Sequence, residues 1–182
     1  MPQLLFVHSA GLQTATEGSG PLLADLRAAL EPDITIIAPA MPGADNPEAQ
    51  RWDPAAARAI AAMKSPYALV GHSLGASTLL KCLAAKAPPP GLKGVILISA
   101  PWWGQPTKDS DSFALPEEFS RLGKLPNLLF ITSRDDEIAP PAHAERYVDA
   151  IERAQLKLLD GHGHEFARGS NAPVVNAVRD LL

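Results

Sequence analysis

Short apolar runs alternate with longer stretches in which apolar residues recur every three or four positions, from one end of the chain to the other. The runs at 4–8, 34–38, 67–71, 94–99, 128–132 and 156–159 are strand-length and rich in Leu, Ile and Val. None alternates cleanly with polar residues, so the pattern predicts strands covered on both faces. Between them the spacing predicts helices over 20–30, 54–63, 74–85, 116–123, 141–154 and 172–182. Pro54 and Pro141 stand near two of the predicted helix starts, where a missing N–H costs nothing. Pro88-Pro89-Pro90-Gly91 ends a helix and turns the chain toward the next strand. Strand followed by helix, six times over and without a repeat or a long linker, predicts one α/β domain over residues 1–182. Its sheet should be six-stranded and mostly parallel, with helices on both faces.

Composition narrows the partners. The chain of 182 residues is 46% hydrophobic and 20% charged, within the range of a globular protein with a real core. A net charge of -4 provides no basic field for nucleic-acid phosphates or anionic lipid. The longest apolar runs fall far short of the ~20 residues that span a bilayer. Met1-Pro2-Gln3-Leu4-Leu5-Phe6-Val7 lacks a basic leader and reads as a strand, so the expected compartment is the cytoplasm. Cys82 is the single cysteine, which excludes an internal disulfide, and its place in an apolar helical pattern predicts an inert buried thiol. The segment 104–112 (GQPTKDSDS) is the one polar, loop-like excursion of note.

The segment YALVGHSLGASTLLKCL, residues 67–83, joins an apolar run to a helical pattern through Gly71-His72-Ser73-Leu74-Gly75. A G-x-S-x-G between strand and helix is the context in which a sharp turn presents a serine hydroxyl above a sheet. On its own the pentapeptide also fits a plain strand–helix turn with a capping serine. A serine hydroxyl is a weak nucleophile at neutral pH and needs a base, and the base needs a group to orient it. The later strands end in suitable residues. Run 128–132 continues into Ser133-Arg134-Asp135-Asp136, and run 156–159 into Asp160-Gly161-His162-Gly163-His164. Either acid and either histidine satisfies that chain order. A metal site built from Asp160, His162 and His164 is a weaker alternative, because further ligands are lacking nearby in the sequence.

Across nearly its whole length this pattern resembles the α/β-hydrolase superfamily. The resemblance implies a reduced hydrolase sheet, in the order 2-1-3-4-5-6 and without a cap. It implies Ser73 as nucleophile and Asp136 as acid, in a stretch similar to G-x-x-D-x-x-V-P, with Ser133 and Ala139 departing from that pattern; Asp135 stays an alternative. It implies His164 as the base at the end of a G-x-G-H-like turn, with His162 as runner-up and a solvent-facing position its expected place. The oxyanion hole would use the backbone N–H of Leu74 and a second amide from the loop after the first strand. That loop reads His8-Ser9-Ala10-Gly11 where the family often has H-G-x-G, and Ala10 is the second donor chosen. No metal or organic cofactor is implied.

The chain is also similar to small lidless hydrolases of the retinoblastoma-binding-protein-like type, on the Pro/Asn-rich loop 38–47 followed by Trp52. Met41, Pro101, Trp102 and Trp103 are expected beside Ser73, and His8, Ser9, Met41, His72, Trp102 and Trp103 are the candidate substrate contacts. The expected function is a carboxylesterase-like hydrolysis of small or exposed esters through an acyl-enzyme. Thioesterase, amidase or peptidase chemistry on the same residues, or a binding module with little turnover, are the alternatives. The oligomeric state is left open.

Overall fold

A computed structural model describes residues 1–104 and 112–182. Among these residues the order of elements is β1 (Gln3–Val7), α1 (Gly20–Leu30), β2 (Thr35–Ile37), α2 (Ala49–Ala61), β3 (Tyr67–His72), α3 (Leu74–Ala85) and β4 (Leu92–Ile98). There follow a 3-10 turn at Ser120–Lys124, β5 (Leu128–Ser133), α4 (Pro141–Ala150), β6 (Gln155–Leu159) and α5 (Ala172–Leu181). The six strands form one sheet in the order β2-β1-β3-β4-β5-β6. Every neighbouring pair is parallel, so the sheet is wholly rather than mostly parallel.

Alternation along the strands builds two cores. Leu5, Val7, Tyr67, Leu69, Val95, Leu97, Leu128 and Phe130 face α2, α3 and α4. Leu4, Phe6, Ala68, Val70, Ile96, Ile98 and Ile131 face α1 and α5. Strands buried on both faces read as unbroken apolar runs, which is why the sequence shows no polar alternation in them. The edge strand β6 departs from this, with Gln155 and Lys157 exposed between half-buried leucines.

Three helices differ from the sequence expectation. The helix expected from Pro54 begins a turn earlier, at Ala49, and Pro54 lies inside it. Ala49, Trp52, Ala56 and Ile60 form its buried stripe, and burying Trp52 outweighs the one main-chain hydrogen bond that Pro54 removes. The helix expected over 116–123 is only the 3-10 turn at Ser120–Lys124. The helix expected over 141–154 ends at Ala150, where Ile151 takes an extended conformation.

The strand order changes direction between β1 and β3: one connection runs outward to β2, the next returns to β3 on the other side. A crevice opens outside the carboxyl ends of the strands at such a switch point. Ser9 and Ala10 follow β1 there, and Ser73 follows β3.

Candidate active site

Ser73 occupies the turn between β3 and α3 with φ 52 and ψ -117, a left-handed conformation that costs a non-glycine residue about 1–3 kcal/mol. The turn is tight because strand and helix almost touch. A β-carbon at position 75 would lie 2.2 Å from the Val7 carbonyl oxygen, and one at position 71 would lie 2.8 Å from Ala76. Glycine at both positions lets α3 start directly above β1, which throws the Ser73 hydroxyl out at the sheet rim. The Ser73 N–H donates to the Ile98 carbonyl at 2.8 Å, fixing the turn to β4.

The loops after β5 and β6 converge on that hydroxyl. His164 Nε2 is 2.9 Å from Ser73 Oγ. On its other side, His164 Nδ1 is 2.9 Å from Asp136 Oδ1 and 3.0 Å from Asp136 Oδ2. Ile138 and Ala139 donate main-chain N–H groups to Asp136 Oδ1 at 3.0 and 2.7 Å. Asp136 is only 3% exposed. Burial disfavours its charge, but the hydrogen bonds from His164 and Ala139 outweigh burial and hold the carboxyl below its ordinary range. Asp136 is therefore ionised at neutral pH and oriented by its own turn.

The neighbours that shared these motifs do other work. Asp135 is exposed; its Oδ1 accepts the Ser133 hydroxyl and the N–H groups of Gly161 and Gly163 at 3.1 and 3.2 Å. His162 is not solvent-facing but 8% exposed, its ring nitrogens 2.9 Å from the Asp160 carbonyl and 3.0 Å from the Ser170 carbonyl. Its own N–H donates to Ser133 Oγ at 3.0 Å. Both residues hold the loop that carries His164. Among the described residues, no group of three or more His, Cys, Asp or Glu side chains is placed to hold a metal ion.

The residues expected to touch a ligand divide in two. Alternation along β3 turns His72 toward the face covered by α1 and α5, where it is 0% exposed. It is therefore corrected from a substrate contact to an interior hydrogen-bonding residue. His8, Ser9 and Met41 are also buried. His8 packs edge-on against Phe6, and burial, with Arg27 nearby, lowers its pKa. Trp102 and Trp103 are half-buried and anchored. The Trp102 N–H donates to His143 Nδ1 at 3.2 Å, its ring packs on Tyr147, and the Trp103 indole donates to Ser77 Oγ at 2.9 Å. The loop at 38–47 is tied down by the Trp52 indole, which donates to the Pro42 carbonyl at 2.9 Å.

Leu74 opens α3, so its N–H has no carbonyl a turn earlier to bond. In the β1 loop the Gly11 N–H is committed to the Ala44 carbonyl at 2.6 Å. Among the described residues the Ala10 N–H meets no such acceptor. Two residues at this rim escaped the sequence reading. His143 carries no motif, and Ser19 sits in a glycine- and serine-rich loop with no sign of where its hydroxyl would point.

The sequence pattern of the family described as serine hydrolase matches residues 32–169, most of the chain and all three of the converging side chains. The chain belongs to the serine hydrolase family. The fold is that of several solved proteins. The ydeN gene product of B. subtilis superposes with a TM-score of 0.81 at 22% identity, covering 100% of this chain and 98% of its own. A lipase-esterase related protein from Clostridium acetobutylicum gives 0.72 at 15% identity, covering 100% and 94%. A serine hydrolase without lid from Xanthomonas campestris gives 0.63 at 19% identity, covering 98% and 79%. No protein of curated function matches the chain in sequence. Among the described residues no inserted domain stands between β4 and β5, and no helix is long and apolar enough to cross a membrane.

Proposed function

We propose that this serine hydrolase is a carboxylesterase-like enzyme acting on small or exposed esters through an acyl-enzyme. The observation that carries the reading is the His164 ring, with Nε2 2.9 Å from Ser73 Oγ and Nδ1 2.9 Å from Asp136 Oδ1. Because the ionised Asp136 accepts from Nδ1–H, Nε2 is left as the base. It takes the Ser73 proton as Oγ attacks the ester carbonyl carbon, and the carbonyl oxygen becomes an oxyanion. The N–H groups of Leu74 and Ala10 are the donors assigned to it; losing one such donor typically costs about 3 kcal/mol of transition-state stabilisation. The imidazolium then gives its proton to the leaving alcohol as the tetrahedral intermediate collapses. Water, deprotonated by the same nitrogen, releases the acid and restores the serine.

The absence of an inserted domain among the described residues between β4 and β5 supports small or exposed substrates, because no domain formed by those residues caps Ser73. The half-buried Trp102 and Trp103 are the assigned apolar wall. The polar, loop-like segment 104–112 lies mainly outside the described residues.

Labelling by a fluorophosphonate probe tests this directly. Wild type should label and Ser73→Ala should not. A folded wild type that resists the probe would instead indicate a binding module. p-Nitrophenyl acetate should then turn over faster than its long-chain homologues, and a thioester or anilide preference would overturn the ester assignment.

A further inference from the structure

The loop between β1 and α1 contains a buried hydroxyl with no part in the chemistry above. Ser19 occupies the N-cap position of α1, yet its side chain makes no capping bond to its own helix. Serine is favoured at that position because it usually makes such a bond. Here the hydroxyl points elsewhere. Its Oγ is 2.7 Å from the Ser9 N, 2.9 Å from Ser9 Oγ and 2.9 Å from His72 Nδ1. The other ring nitrogen of His72, Nε2, is 2.8 Å from the main-chain oxygen of His164.

The direction of each bond follows from valence. A carbonyl oxygen only accepts, so His72 Nε2 carries a proton. Burial pushes the His72 pKa down to about 4, so the ring is neutral at pH 7 and Nδ1 is an acceptor. The single Ser19 proton therefore goes to Nδ1, and both the N–H and the O–H of Ser9 donate to Ser19 Oγ. The hydroxyl is saturated, with one bond given and two received. The chain wraps closely to put it there: a β-carbon at position 20 would lie 1.9 Å from the Thr14 carbonyl oxygen.

We propose that Ser19, acting through His72, is a positioning residue that ties the loop carrying the Ala10 amide to the main chain of His164. The proposal rests on the serine hydrolase reading above. The oxyanion donor and the base reach the site from opposite sides, one after β1 and one after β6. Both must hold position for a single tetrahedral intermediate, and a displacement of ~1 Å can cost about a hundredfold in rate. Sidedness decides the route: β3 turns His72 to the face where α1 begins and where Phe166, in the loop after His164, is buried. Neither Ser19 nor His72 touches substrate.

The test compares wild type with Ser19→Ala, His72→Phe, His72→Gln and the double variant Ser19→Ala/His72→Phe. With a p-nitrophenyl ester, Ser19→Ala and His72→Phe should each lower kcat roughly ten- to hundredfold with KM within about threefold. Glutamine keeps one donor and one acceptor, so His72→Gln should restore kcat to within about fivefold of wild type. The double variant should be no slower than the slower single, since both break one connection. Hydrogen exchange provides a readout independent of turnover: Ser19→Ala should speed exchange at 161–167 as well as at 8–13. A Ser19→Ala kcat within about twofold of wild type, multiplied losses in the double variant, or unchanged exchange at 161–167 each overturn the proposal. If Ser19→Ala does not fold, the nitrogen chemical shifts of His72 in wild type decide it, since protonation at Nδ1 instead of Nε2 breaks the chain. If wild type neither turns over ester nor takes the fluorophosphonate, the hydrolase reading fails while exchange and tautomer still judge the connection.

Discussion

The loops after β5 and β6 carry the same two residue types twice, and adjacent copies face different environments. Asp136 is buried, takes two main-chain N–H groups from its own turn, and meets the His164 ring. Asp135, one residue earlier, is exposed and takes its N–H groups from the facing loop, at Gly161 and Gly163. One carboxylate orients a ring; the other orients the backbone on which that ring is mounted. The histidines divide likewise: His164 bonds Ser73 and Asp136, whereas both ring nitrogens of His162 face main-chain oxygens of its own loop. A reactive site of this kind needs a rigid mount as well as the correct functional groups, and here chemically identical neighbours provide each.

The largest expected effect separates the two acids. Asp136→Asn should lower kcat about 10^4-fold, because the amide favours the wrong tautomer of His164 while leaving the shape intact. Asp135→Asn keeps an oxygen to accept the Gly161 and Gly163 N–H groups and should stay within about tenfold of wild type. Steady-state turnover of a p-nitrophenyl ester measures both. Equal losses would erase the distinction between ring and mount.

How far the sequence could foresee this division depended on what decided each feature. Ser73 was legible because the elbow imposes glycine on both sides, at positions where a β-carbon would strike Val7 or Ala76. The strands were legible because burial on both faces leaves uninterrupted apolar runs. Choosing Asp136 over Asp135 required the family resemblance, since both precede the same turn and their opposite burial is a tertiary outcome. The place of His162 is hidden for the same reason: a glycine-rich loop reads as solvated, whereas Phe166 and the Ser170 carbonyl, farther along that loop, cover the ring. The start of the 49–61 helix is obscured because Pro54 signals a later one, whereas the stripe of Ala49, Trp52, Ala56 and Ile60 overrides it. His72 reads as a substrate contact because it adjoins Ser73, whereas alternation along β3 with Ala68 and Val70 turns it to the α1 face.

The next effect, in stability, sharpens the contrast between a buried and an exposed anchor on the His164 loop. His72 holds the loop from inside through the His164 carbonyl, and its pKa is lowered from 6.5 to about 4, chiefly by burial. The unfolded chain then binds a proton between those values that the folded chain does not. Stability from this group is full above pH 6.5 and is lost as pH falls toward about 4. Linkage puts the loss at about 3 kcal/mol across that interval. The facing groups His164, His8 and Asp136 shape the same titration, and His8 and His143, whose pKa values are also lowered, contribute with the same sign. The informative quantity is therefore the difference between wild type and His72→Gln. Urea unfolding at pH 6.5 and 4.5 should show a markedly flatter response in the variant. Parallel curves would mean that His72 is not the neutral, buried anchor described.

The smallest effect tests whether His162 is purely mount. If its ring only braces the loop, His162→Ala should remove the ring N–H bond to a main-chain carbonyl and the packing on Phe166, and cost about 1–3 kcal/mol of stability. The imidazole of His164 would keep its partners, so kcat per active site, counted with the fluorophosphonate, should stay within about tenfold of wild type. Counting active sites matters, because a destabilised variant loses folded molecules before it loses chemistry. In His164→Ala, turnover per folded molecule should almost vanish, since that ring's bonds run to Ser73 and Asp136. An inactive but fully stable His162→Ala would reverse the roles assigned to the two histidines, and with them the claim that burial against main-chain oxygens marks a brace.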